Sequence, residues 1–199
     1  MSDPGYRSPF VDFFFRGEVA RDIRTLAARG ALAPGPFEQL ALLVLLSDDP
    51  DAEIASTAVT TIESIPLDAL AGFLARPEVT REMRAFFAAR GVEPAAVPAP
   101  DSDEPLVPIA GEDTETAESD DRPRALSTLS VTERVKLAMR GTREQRGALV
   151  RDPNRLVASA VLSSPKLTAA EVEAFTKMGN VSEEVLRVIA TNRNWIKNY

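Results

Sequence analysis

The chain has 199 residues, a formal net charge of −7, and neither cysteine nor histidine. These two absences exclude disulfides, thiol nucleophiles, Cys/His zinc sites and histidine acid–base chemistry. The longest purely apolar run, 40–46, is far shorter than a membrane span, and the N-terminus has no basic signal-peptide region. We therefore expect a soluble cytoplasmic protein that does not contact a membrane.

Residues 1–92 are predicted to form an N-terminal helical module. Apolar residues recur there at helical spacing, and glycine, proline and capping residues separate the helices. The predicted spans are 19–27, 37–44, 54–62, 67–74 and 80–91. Gly30 is expected to end the first of them as a residue with left-handed backbone geometry.

An aromatic cluster precedes these helices. It consists of Phe10, Phe13, Phe14 and Phe15, together with Val11. Four phenylalanines in six residues cover more than one helix face, so we predict that at least one is exposed. A cap over the end of the helical core is the favoured role, and a docking helix is the alternative. On the second interpretation Phe10, Phe13 and Phe14 are candidate partner contacts.

Residues 93–127 are predicted to be a disordered, acidic, proline-rich linker. Six of the fifteen prolines fall between 93 and 126, and residues 101–124 carry a net charge of −7. Proline removes backbone donors and like charges repel, so this composition favours disorder. An apolar island at 106–109 is an alternative short docking motif within the linker.

Residues 128–199 are predicted to form a C-terminal helical module. Residues 125–199 carry a net charge of +5, and the module contains three capping boxes. These pair Ser130 with Glu133, Thr142 with Gln145, and Thr168 with Glu171. No alternating apolar run is long enough for a strand, so the predicted fold class is all-α.

The two modules share a sequence pattern. DPDAEIASTAVTT at 49–61 aligns with DPNRLVASAVLSS at 152–164, with four identical positions and five close exchanges. Within the second module the pattern returns after 28 residues. Each unit is a short helix behind an Asp-Pro or Asn-containing turn, followed by a second turn and helix, which must stack on a neighbour to bury its apolar face.

This pattern resembles HEAT-like and variant leucine-rich α-solenoids over about residues 17–91 and 130–199. HEAT units commonly place Arg after the core Val, whereas Ala55 and Ala158 stand there in this chain. The layout also resembles an uncharacterised group of bacterial repeat proteins. The resemblance implies two short solenoid modules with a binding role, the second truncated or without a cap, and it supplies no enzymatic activity.

A basic cluster opens the second module. Four of its arginines, Arg134, Arg140, Arg143 and Arg146, are candidate partner contacts. Contacts to nucleic-acid phosphates are one interpretation of such a cluster, but the aromatic residues that stack on bases are missing from it. We therefore expect nucleic-acid binding to be the less favoured function.

The end of the chain carries Trp195 and Tyr199, which we predict to lie at an uncapped solenoid end. The region of Val185, Leu186, Ile189 and Trp195 is then expected to be partly exposed, so that the chain self-associates or continues past Tyr199. No nucleophile beside a base, P-loop or G-x-G-x-x-G motif is present. The sequence therefore predicts a non-enzymatic scaffold for an unknown protein partner, with no cofactor or metal.

Overall fold

The computed structural model describes residues 2–33, 35–100, 104–107, 126–192 and 195. The chain divides into two compact units, Met1–Gly111 and Glu112–Tyr199, here called the first and second unit. All regular secondary structure in the described ranges is helical, which confirms the all-α prediction. None of the helices in that part of the chain is both long and apolar enough to cross a membrane.

Six helices form the described part of the first unit. They are α1 (Pro9–Phe15), α2 (Arg21–Ala28), α3 (Pro36–Leu46), α4 (Ala52–Glu63), α5 (Leu67–Leu74) and α6 (Arg81–Ala88). Helix α3 lies at the centre and contacts α1, α2, α4 and α6. Its apolar run leaves no polar face between Leu40 and Leu46, and all seven of those residues are buried.

Five α-helices follow a short 3-10 turn (Leu126–Thr128) in the described part of the second unit. They are α7 (Val131–Arg140), α8 (Arg143–Leu149), α9 (Arg155–Leu162), α10 (Ala169–Thr176) and α11 (Glu183–Thr191). Helix α9 contacts both α7 and α11, while α8 contacts α10 as well as α7 and α9. Residues 156–162 of α9 are buried without interruption, which places this helix in the core of the unit.

Local sequence signals set the helix ends. All three predicted capping boxes form, and Ser182 caps α11. Gly30 follows α2 with a φ of +72°, as predicted. Its N–H donates to Ala27 O while the N–H of Ala31 donates to Leu26 O, which is the hydrogen-bond pattern of a Schellman motif.

The N-terminal aromatic cluster belongs to the core. Phe10, Phe13 and Phe14 are buried in α1, so they are not contacts offered to a partner, and their assignment as partner-binding residues is corrected. The physical reason is that α1 lies against α3, whose residues 40–46 are all apolar. Phe15 is the exposed member at 38%, and the Arg7 guanidinium lies 4.0 Å from its ring centre.

Part of the predicted linker lies on the first unit. We call residues 93–100 and 104–107 the docked segment, and its backbone is hydrogen-bonded to α3 and α5. The first compact unit accordingly extends beyond residue 92. The rest of the predicted linker up to Ala125, including residues 108–109 of the apolar island, is outside the described residues.

Candidate interaction surfaces

The Asp-Pro turn of the first unit is an electrostatic junction between helices. Arg24 on α2 donates from Nη1 to both carboxylate oxygens of Asp49, at 2.5 and 2.6 Å. Asp49 also accepts the N–H of Asp51 at 2.8 Å, and Asp51 in turn caps α4. Hydrogen bonds from Arg21 hold the pKa of Asp51 below its usual value. The turn therefore fixes α4 against α2.

The same junction recurs in the second unit. Arg134 on α7 pairs with Asp152, which accepts the N–H of Asn154 at 2.8 Å. Asn154 then caps α9 through the N–H of Leu156. In both units the arginine lies two helices before the capped helix, and the three helices contact one another in pairs. The aligned sequence stretches thus take equivalent structural roles.

Two arginines of the basic cluster have structural roles. Arg134 is held by Asp152, and Arg146 is buried. Both are therefore unsuited to phosphate contacts, and their assignment as partner-binding residues is corrected. Arg143 is exposed, and Arg140 is half-buried with its carbonyl accepting from Lys166. The cluster offers less accessible charge than its sequence indicates.

Arg146 is the centre of a buried polar network. It donates to Glu171 Oε1 through Nε and Nη2, and to the carbonyls of Gly141 and Lys166. Burial disfavours the charged form of Glu171. The Thr168 N–H and the Arg146 guanidinium outweigh that effect and hold the pKa of Glu171 below its ordinary value. Helices α8 and α10 are joined through this pair.

The described C-terminal end is more enclosed than predicted. Val185 and Ile189 on α11 are buried, since α11 lies against α9, so the expected partial exposure is wrong for these two residues, whereas Leu186 is half-buried as predicted. Trp195 is half-buried, and its backbone N–H donates to the backbone carbonyl of Asn192 at 3.1 Å. Tyr199 is outside the described residues.

Besides the Asp-Pro junction, the first unit has a polar contact between Gln39 and the docked segment. The side chain of Gln39 on α3 accepts the N–H of Val107 at 2.9 Å and donates to the Val107 carbonyl at 3.2 Å. Gln39 also donates to Gly30 O at 3.0 Å, and it is 1% exposed. One amide side chain thus binds both backbone groups of a residue in the segment.

Two glycines make room for this segment. A Cβ at Gly30 would lie 3.2 Å from Val107, and one at Gly72 would lie 3.0 Å from the Cβ of Ala99. The latter is tighter than nine in ten real Cβ contacts, so the absence of a side chain at residue 72 lets the segment reach the backbone of α5 without displacement.

The docked segment is also bonded to α5 and the turn after it. The N–H of Ala95 donates to Ala71 O and that of Ala99 to Gly72 O, both at 2.9 Å. The Arg76 guanidinium donates to the carbonyl of Pro100 and lies 5.3 Å from the Phe73 ring centre. We call Gln39, Gly30, Ala71, Gly72 and Arg76 the docking surface.

Sequence analysis missed Gln39 and Arg76. The available signal was a lone amide at Gln39 beside the apolar run of α3, where a buried polar group needs a partner. Within the described residues, no group of three or more acidic side chains could hold a metal ion. The least exposed charged pairs in that part of the chain, such as Arg24 with Asp49 and Arg146 with Glu171, join a helix to another helix or to a turn, as structural ion pairs do.

Comparison with known proteins finds no matching family model, no matching curated protein and no matching solved structure.

Proposed function

We propose that this chain is a non-enzymatic, cytoplasmic protein–protein interaction scaffold built on HEAT-like helical repeats. The observation that carries the proposal is the docking surface, where Gln39 binds the backbone of an extended segment. Main-chain recognition of an extended peptide is a recurring mode of protein interaction.

The repeat assignment is supported by the two Asp-Pro junctions. Arg24 with Asp49 and Arg134 with Asp152 join equivalent helices in the two units. In the second unit, helices contact the next helix but one along the chain. Helix α9 contacts α7 and α11, and α8 contacts α10. An alternation of this kind is expected when helical units stack on their neighbours.

Nucleic-acid association is the other candidate, and the burial of Arg146 weakens it. The two functions differ in their response to salt, because phosphate-dominated binding weakens steeply with ionic strength. The full chain is immobilised, and native extract is applied with and without nuclease at about 50 and 500 mM salt. The proposal expects proteins that remain bound after nuclease and at high salt.

A matched variant pair sharpens this experiment. Arg143→Glu reverses an exposed charge of the basic cluster, whereas Val107→Asp changes a residue held by the docking surface. The scaffold proposal expects R143E to leave the retained proteins unchanged. Retention of nucleic acid alone, lost on nuclease treatment and in R143E, would overturn the proposal in favour of nucleic-acid association.

A further inference from the structure

The docked segment is recognised mainly through its main chain. The bonds from Gln39 to Val107, and from the segment's N–H groups to α5, use atoms that every peptide possesses. The contact between Arg76 and Pro100 likewise ends on a carbonyl oxygen. These bonds select an extended backbone, and they place no requirement on most of the side chains.

The segment approaches the docking surface most closely at two positions, eight residues apart. At the first, Ala99 lies over Gly72, where a Cβ at residue 72 would stand 3.0 Å from the Ala99 Cβ, so this approach depends on the glycine. Gly30 and Gln39 enclose Val107, which is 8% exposed. Pro100 and Pro105 lie between the two positions and favour an extended backbone. The ligand chemistry is therefore a proline-containing extended peptide with a valine-sized residue at the position of Val107.

The docked segment buries few side chains compared with the helices of the same unit. Val107 is its buried residue among those described, whereas Val97 is 76% exposed and most of its other side chains face solvent. Segments with few buried contacts open locally at much lower free energy than the helical core. The docking surface can thus be vacated while α3 and α5 remain folded.

We propose that the docking surface binds an extended, proline-containing peptide of a partner protein, and that the chain's own docked segment is its internal competitor. This inference rests on the proposed scaffold function and names the ligand class. A tethered competitor acts at an effective concentration of about millimolar, so partner binding requires a tighter peptide or a displaced segment. The docked segment thereby sets how tightly a partner peptide must bind in order to displace it.

The test uses the full chain and a fluorescein-labelled peptide with the sequence of residues 93–107. Substituting Ala99→Pro, which removes the N–H that donates to Gly72 O, together with Val107→Asp displaces the segment and leaves the docking surface intact. We expect the double variant to bind the peptide at least about tenfold more tightly than wild type in fluorescence anisotropy. The same peptide carrying V107D is the control, and it should not bind.

A third change locates the binding. Adding Gln39→Leu to the double variant removes the amide that holds the Val107 backbone, and peptide affinity should fall about tenfold or more. Circular dichroism verifies that each variant is folded. Equal peptide affinity of the wild type and the folded double variant would overturn the inference. A double variant that dimerises without binding peptide would do the same, and would assign the surface to a second copy.

Hydrogen exchange on wild type provides a readout that needs no variant. The amides of Ala95, Ala99 and Val107 should exchange markedly faster than those of Leu43 and Val44 in α3. Equal protection would show that the segment opens only with the whole unit, and would overturn the inference. Either failure leaves the scaffold proposal open to its separate test by salt and nuclease.

Discussion

Arg146 donates two hydrogen bonds to a single carboxylate oxygen of Glu171, at 3.0 and 2.7 Å, with at most 5% of either side chain exposed. The other oxygen of Glu171 accepts from the N–H and hydroxyl of Thr168. One carboxylate therefore completes a capping box and also joins two helices. A buried charge in this position depends on all of its partners.

Removing the arginine is expected to destabilise the second unit strongly. Arg146→Met leaves the Glu171 carboxylate buried without its cation, which costs about 3–5 kcal/mol. Urea unfolding followed by the fluorescence of Trp195, the one tryptophan of the chain, measures the loss. Arg143→Met is the matched control on the same helix, and its exposed position should limit the change to about 0.5 kcal/mol. Equal unfolding midpoints would contradict this assignment.

The same pair predicts a dependence on acid. The pKa of Glu171 is lowered from its ordinary value of 4.5, so the stability it contributes is present above that pH. It is lost as pH falls through the lower pKa of the folded state. Wild type should therefore exceed Glu171→Gln in melting temperature at pH 7, and the difference should shrink below about pH 4.5. A difference that stays constant down to pH 3 would argue against it.

The Asp-Pro junction of the first unit predicts a contrast between neighbouring aspartates. Asp49→Ala removes the acceptor of both Arg24 and the Asp51 N–H, and it should cost about 2–3 kcal/mol. Asp48→Ala changes an exposed carboxylate that bonds Ser2, and it should cost less than about 1 kcal/mol. Hydrogen exchange of α2 and α4 monitors both variants. Similar exchange rates in the two would refute the role assigned to the junction.

Two glycines with left-handed backbones predict separable effects. Gly91 has a φ of +79° and open space around it, so Gly91→Ala should cost only the conformational penalty of about 1–2 kcal/mol. Gly30→Ala adds a contact of 3.2 Å with Val107, and should cost about 1–3 kcal/mol more in denaturant unfolding. That surplus should shrink when Val107→Gly is introduced as well, because glycine removes both Val107 atoms, Cβ and Cγ1, that the new Cβ would meet at 3.2 Å. A surplus unchanged in the double variant would show that Val107 is not its source.

The sequence determined the helices and their ends, because the interactions that define them are local. A capping box such as Thr168 with Glu171 joins residues three positions apart, and apolar spacing identifies the buried face of each helix. The all-α class and the Schellman turn at Gly30 follow from signals of this range.

The roles of polar residues depended on the tertiary structure. Arg146 lies 25 residues from Glu171, and its place in a basic cluster predicted a solvated or partner-binding cation. Val107 lies 68 residues from Gln39, and proline-rich acidic composition predicted a free linker. Composition measures how much apolar surface a segment can bury, but it cannot show that a distant amide will bond its backbone. Ion pairing and docking were decided by which side chains the packed helices brought within hydrogen-bond distance.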